Sequence, residues 1–235
     1  MLVKHKGEFA KGILLIASFI VVLFLMFCPL FNGKNALEAS DDLFNSIAKG
    51  SANYIPGIKK QADAYKGKAF DVTIKLKSPE MTQKVTKLFT TAGAQVTPKD
   101  NDLVVKGDFG GVILAALNDS DAMFNNREAE VSSKYGLPGK EVLFAWHGAF
   151  KEVDKALKKQ KLFKESKFLD IVIKKGVELG YNFANIVPET ASSKAGILAF
   201  ALIFYVIYTL WWGIGILMLF EGFGLQMKAG AKKEV

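Results

Sequence analysis

Hydrophobic positions along this chain fall into two long unbroken runs near the ends and a middle region of short alternating stretches. The second run, Ala195 to Phe220, holds 26 residues without a charge. At about 1.5 Å per residue that is roughly 39 Å of helix, more than the roughly 30 Å hydrocarbon core of a bilayer, so it can span with tilt. The first run, Gly12 to Phe31, holds 20 residues. Its rival reading is a secretory signal, whose apolar region is about 7–15 residues long and ends at small residues. Here the run closes on CPLFNGK, so an uncleaved anchor is expected. LMFC, in turn, lacks the small residues that would precede a lipoprotein cysteine at Cys28.

The middle region carries clear local signals. Leu37, Leu43, Phe44 and Ile47 in NALEASDDLFNSIAKG are spaced for an amphipathic helix. Gly50 and Pro56-Gly57 punctuate the chain, and a short helix from Ile58 to Tyr65 is expected. In AFDVTIKLK, Phe70, Val72, Ile74 and Leu76 alternate with Asp71, Thr73, Lys75 and Lys77, which predicts a strand with one wet face. Ser78-Pro79-Glu80 supplies an N-cap, a proline at the first helical position and an acid in the first turn. The helix that follows buries Met81, Val85, Leu88 and Phe89 and stops at Gly93. AQVTP and DLVVK flank Lys99, Asp100 and Asn101 and predict a hairpin. A further helix starts near Gly110. The order strand–helix–strand–strand–helix predicts a small α+β unit, 68–135, on a mostly antiparallel sheet.

From Gly139 the pattern turns helical. Leu143, Trp146, Phe150, Val153 and Leu157 recur at 3, 4, 3 and 4, a heptad-like seam. Phe168, Leu169, Val172, Ile173 and Val177 mark a second helix, and KKQKLFKES between them predicts a helical hairpin over 140–187. The expected organisation is an N-terminal tail 1–11, a first transmembrane helix 12–31, an α+β domain 32–194, a second transmembrane helix 195–220 and a tail 221–235.

Charge gives this layout a direction. Lys4, Lys6 and Lys11 flank the first run on its outer side and Lys228, Lys232 and Lys233 flank the second, whereas only Lys34 and Lys194 lie close to the runs on the domain side. The excess of lysines predicts both termini in the cytoplasm and the domain outside a bacterial-type cytoplasmic membrane. The domain itself has 25 Lys and Arg against 20 Asp and Glu, and all its basic residues but Arg127 are lysines. Base readers lean on arginine forks, so the surplus reads as a solvated surface and no nucleic-acid partner is expected. The single Cys28 excludes an internal disulfide and a cysteine-based metal site.

Candidate chemistry is sparse. His147 in AWHGAF is the one histidine beyond the N-terminal tail, and it reads as packed beside the Trp146 seam rather than as a general base or ligand. Lys106 to Gly111, KGDFGG, lacks both phosphate-loop spacings and reads as a turn and helix start. Asp119, Asp121, Glu128 and Glu130 lack the calcium-loop pattern and read as a solvated, helix-capping patch. No catalytic set, cofactor or metal site is expected. Tyr205, Tyr208, Thr209 and Trp212 share one face of the last helix, within about 100° at roughly 100° per residue. Both phenols, Tyr205 and Tyr208, sit near mid-depth, where a hydroxyl seeks a partner. That face is expected to pack against the first run or a membrane protein partner's helix, or to take a lipid or quinone-like ligand. The function expected from the whole pattern is a non-catalytic accessory or scaffolding subunit of a membrane complex, with a ligand-binding or sensor module of unknown ligand as the alternative.

Overall fold

The computed structural model describes residues 3–99 and 102–225. The chain forms two compact units, one made of the residues up to Ile47 together with those from Glu189 onward, the other of Ala48–Pro188.

The first unit is built on two helices that are long and apolar enough to cross a membrane, α1 (Lys6–Phe27) and α10 (Ala195–Gly222). α1 starts earlier than the apolar run suggests and stops before it ends. Cys28 is already extended, and Pro29 disfavours helix in the residue before it. The two helices run antiparallel, and glycines set their approach. A Cβ on Gly12 would lie 2.8 Å from the Leu219 nitrogen, and one on Gly222 would lie 2.7 Å from the Phe9 Cα. Lys4 and His5 donate their N–H groups to the Gly222 carbonyl at 2.9 and 3.0 Å, closing the end of α10 onto the start of α1. Lys228, Lys232 and Lys233 lie outside the described residues.

α2 (Ala36–Ser51) is the expected amphipathic helix and runs from the first unit into the second. Its start is capped reciprocally: Asn35 Oδ1 accepts from Leu37 N and Glu38 N, while Glu38 Oε2 accepts from Asn35 N. Between α1 and α2, Asn32 and Gly33 take positive φ, 52° and 80°, and Phe31 and Lys34 exchange backbone hydrogen bonds at 2.9 and 3.0 Å. An Asn-Gly pair in that conformation is a tight hairpin turn.

The second unit is mixed. α3 (Ile55–Ala62) continues into a 3-10 turn, Asp63–Tyr65, and leads to β1 (Ala69–Lys75). Burial alternates along β1 with Phe70, Val72 and Ile74 inside, as its pattern predicts. α4 (Pro79–Thr91) begins on Ser78, whose hydroxyl accepts from Met81 N. β2 (Gln95–Lys99) and β3 (Asp102–Asp108) follow, and the sheet order is β1-β3-β2, antiparallel throughout. Pro98 sits on the edge strand β2, the place in a sheet where proline is tolerated. Asp100 and Asn101 of the expected hairpin turn lie outside the described residues.

α5 (Phe109–Phe124), α6 (Glu128–Tyr135) and α7 (Gly139–Lys159) complete a core around Trp146, Phe150, Phe89 and Tyr135. The link from α7 to α8 (Phe163–Val172) is only Gln160–Leu162, much shorter than the charged stretch suggests. Lys161 takes φ 61°, and Leu162 N bonds to Leu157 O at 2.9 Å. A Schellman turn thus forms with lysine in the place glycine usually takes. α8 then widens into a π-helical turn, Ile173–Val177, before α9 (Glu178–Asn182).

Candidate functional site

α7 turns its seam inward, so Leu143, Trp146, Phe150, Val153 and Leu157 are all buried. His147 follows Trp146 by about 100° around the helix, which leaves it at the edge of the seam and half-buried. Opposite it, the chain leaves α8 through the π-helical turn, a wider coil that often marks functional sites. Two glycines there permit backbone approach that no side chain would allow. A Cβ on Gly176 would lie 2.6 Å from Leu117 Cδ2, and one on Gly180 would lie 2.6 Å from the Ser120 carbonyl oxygen of α5. With α9 pressed onto α5, Glu178 Oε1 comes to 3.1 Å from His147 Nε2.

Around this pair lies a cleft of about 280 Å³ with a floor of Leu143 and Val177 and walls of Phe144 and Tyr181. The same two rings border a second hollow of about 320 Å³ that reaches the start of α4. There Lys84 Nζ bonds to Glu141 and Glu80, each at 2.7 Å, and these two carboxylates raise its pKa above the usual lysine value. Lys140 Nζ stands 5.8 Å from the centre of the Tyr181 ring. A carboxylate-oriented imidazole is two-thirds of a nucleophilic triad. The polar groups beside it are the Tyr181 hydroxyl and the Asn182 amide, with no serine or cysteine among the described lining residues. The lining sets an apolar floor and aromatic walls beside a few polar groups, a make-up that suits a molecule with an apolar body and a polar end.

The acidic run does not behave as one solvated patch. Asp119 is only 3% exposed and accepts from Tyr135 Oη at 2.7 Å, Trp146 Nε1 at 2.9 Å and Lys134 Nζ at 2.8 Å. α6 folds back over α5 and brings those donors together, and no local spacing encodes that. Burial foremost, then the Asp119 charge, pushes the Tyr135 phenol far above its usual pKa. Asp121 pairs with Lys59 at 3.1 Å and Arg127 at 3.4 Å, Glu130 pairs with Arg127, and Glu128 accepts from Gly139 N to start α7. Among the described residues no group of three or more His, Cys, Asp or Glu is placed to hold a metal ion. In KGDFGG, Asp108 Oδ1 accepts from Gly110 N at 3.1 Å and Gly67 N at 2.9 Å, and a Cβ on Gly110 would lie 2.4 Å from Lys66 N. Gly110 thus permits a crossing of backbones.

The four residues singled out on α10 part company. Tyr208 and Trp212 turn onto Phe19 of α1, with ring centroids 4.5 and 4.7 Å away. Thr209 Oγ1 donates back to the Tyr205 carbonyl at 2.8 Å. Tyr205 stays 64% exposed, and its hydroxyl has no hydrogen-bond partner among the described residues. Trp211, which sequence reasoning passes over, donates Nε1–H to the Leu15 carbonyl at 3.1 Å. A signal for this helix pairing does exist: Tyr208, Trp212, Gly215, Leu219 and Gly222 recur at 4, 3, 4 and 3, a packing seam. The cleft left fainter marks, of which Phe144, an aromatic set off the α7 seam, is the clearest. Comparison of the chain with protein-family models, curated proteins and solved structures finds no match.

Proposed function

We propose that this chain is a two-span protein of a bacterial-type cytoplasmic membrane, with both termini inside and residues 32–194 outside. In this reading it serves as a non-catalytic accessory or scaffolding subunit of a membrane complex. The lysine asymmetry supports the orientation. The observation that carries the subunit role is Tyr205, whose phenol lies within an apolar helix and is left open while its neighbours Tyr208 and Trp212 pack on α1. A hydroxyl facing hydrocarbon without a partner is costly, which favours a polar acceptor on a neighbouring helix. A photo-crosslinking amino acid placed at Tyr205 tests this in native membranes. Adducts with one membrane protein at Tyr205 and none at Tyr208 are expected, and lipid-only adducts at Tyr205 would sink the idea.

A second reading, an extracytoplasmic ligand-binding or sensor module, is favoured by the His147–Glu178 cleft. Screening small aromatic and aliphatic acids for a rise in unfolding temperature tests it. A genuine ligand raises the midpoint of the native chain and loses that effect in His147→Ala. If no compound does so, the cleft is only a fold between helices.

A further inference from the structure

We propose that α2 is an interfacial helix, its Leu37–Phe44 edge lying in the lipid headgroup region beside the two spans; this rests on the two-span reading above. The apolar positions of α2 cover about half its circumference at roughly 100° per residue. Ala36 is buried and Ala39, Leu43 and Ile47 are half-buried, which accounts for one side of that arc. The other side is open: Leu37 is 61% exposed and Phe44 is 56% exposed. They are seven residues apart, so they lie on one line along the helix. Glu38 and Asp42 project roughly 100° and 140° away from that line, toward water, while Asp41 at about 40° marks its wet border.

Two restraints hold this edge beside the ends of the spans. At its start, the Phe31–Lys34 hairpin and an ion pair between Lys34 and Asp42 fix α2 to the end of α1. That turn carries two more exposed apolar side chains, Leu30 and Phe31. Further along, Glu189 N donates to the Ser46 carbonyl at 3.0 Å, and Glu189 also pairs with Lys194, the residue before α10. Water would have to wet Leu30, Phe31, Leu37 and Phe44 together, along the turn after α1 and the open edge of α2. An amphipathic helix lying in the membrane plane removes that exposure. Its polar face is acidic, so the attraction is apolar rather than electrostatic, and the surface it fits is a zwitterionic one.

The full chain carrying Cys28→Ser, reconstituted in phosphatidylcholine nanodiscs, allows a direct test. Single cysteines replace Leu37, Phe44, Glu38 and, as a control on α10, the exposed Ile203, and each is labelled with an environment-sensitive fluorophore. Far-UV circular dichroism checks that each variant keeps its helices. Expected are blue-shifted emission and quenching by brominated lipid at Leu37→Cys and Phe44→Cys, water-like emission at Glu38→Cys and strong quenching at Ile203→Cys. Water-like emission at Leu37→Cys and Phe44→Cys with Ile203→Cys quenched overturns the interfacial helix and leaves the two spans standing. A blue shift there without lipid quenching also overturns it, since protein then covers the edge. Loss of quenching at Ile203→Cys overturns the spans themselves and the inference with them.

Discussion

Asp119 takes hydrogen bonds from a phenol, an indole and an ammonium, and those donors come from two other helices. Removing the carboxylate leaves the Tyr135 hydroxyl and the Trp146 N–H unpaired in the core, and each buried orphan costs about 1–3 kcal/mol. Asp119→Ala is therefore expected to destabilise the chain by about 3 kcal/mol or more, and Tyr135→Phe by less. Thermal unfolding in detergent micelles measures both, and equal effects would contradict the central role of the carboxylate. Glu165 gives a second expectation, this one in pH. Its hydrogen bond from Lys68 is the chief reason its pKa lies below the ordinary glutamate value of 4.5, outweighing the opposing effect of burial. A depressed carboxylate pKa stabilises the fold above the unfolded value and loses that contribution as pH falls through the folded one. The wild-type chain should lose stability below about pH 4.5 more steeply than Lys68→Met. Coincident acid-unfolding curves would show that the pair contributes nothing.

Among the elements, the π-helical turn and α9 each set a glycine close against α5. The obstruction facing Gly180 is the backbone of Ser120, which cannot step aside, whereas the one facing Gly176 is the end of the Leu117 side chain. Gly180→Ala should then cost about 1–3 kcal/mol, the usual range for overpacking, and Gly176→Ala distinctly less. Unfolding midpoints of the two variants check the ranking, and the reverse order would refute it. The same elements mark where sequence reasoning stops. β1 was legible because its alternation is local, and the start of α4 because Ser78, Pro79 and Glu80 state a cap in three letters. Asp119 was not legible, since its burial depends on where Tyr135 and Trp146 arrive from other helices. The π turn was hidden because Ile173–Val177 keeps helical spacing in its apolar residues. Lys49 is a similar case. Charged residues are seldom buried, yet it reaches the Phe183 and Ile186 carbonyls and the Asn126 side chain, and burial lowers its pKa.

Taken whole, the described chain is an α+β unit on a three-stranded antiparallel sheet, together with a unit built on two long apolar helices. Those helices meet through Gly12, Gly215 and Gly222, all within van der Waals reach of the opposite helix. Close approach through small residues is how helices associate where both neighbours and surroundings are apolar. Gly222→Val should separate the helices and lower the thermal midpoint in micelles. Gly213→Val should be silent, since a Cβ at Gly213 meets nothing within 4 Å. Similar losses in both variants would show that added bulk on α10, rather than its seam with α1, is what matters.

The seam also sets an order in time. Phe19 and Gly12 of α1 find their partners only in α10, whose first residue follows Phe27 by about 170 positions. At synthesis rates of about 5–20 residues per second, that interval lasts on the order of ten to thirty seconds. Throughout it the sheet and the α5–α9 helices can assemble from segments already made, while α1 waits with its aromatic and glycine face unclaimed. Of the helix pairings described, that of α1 with α10 therefore joins segments synthesised furthest apart in time.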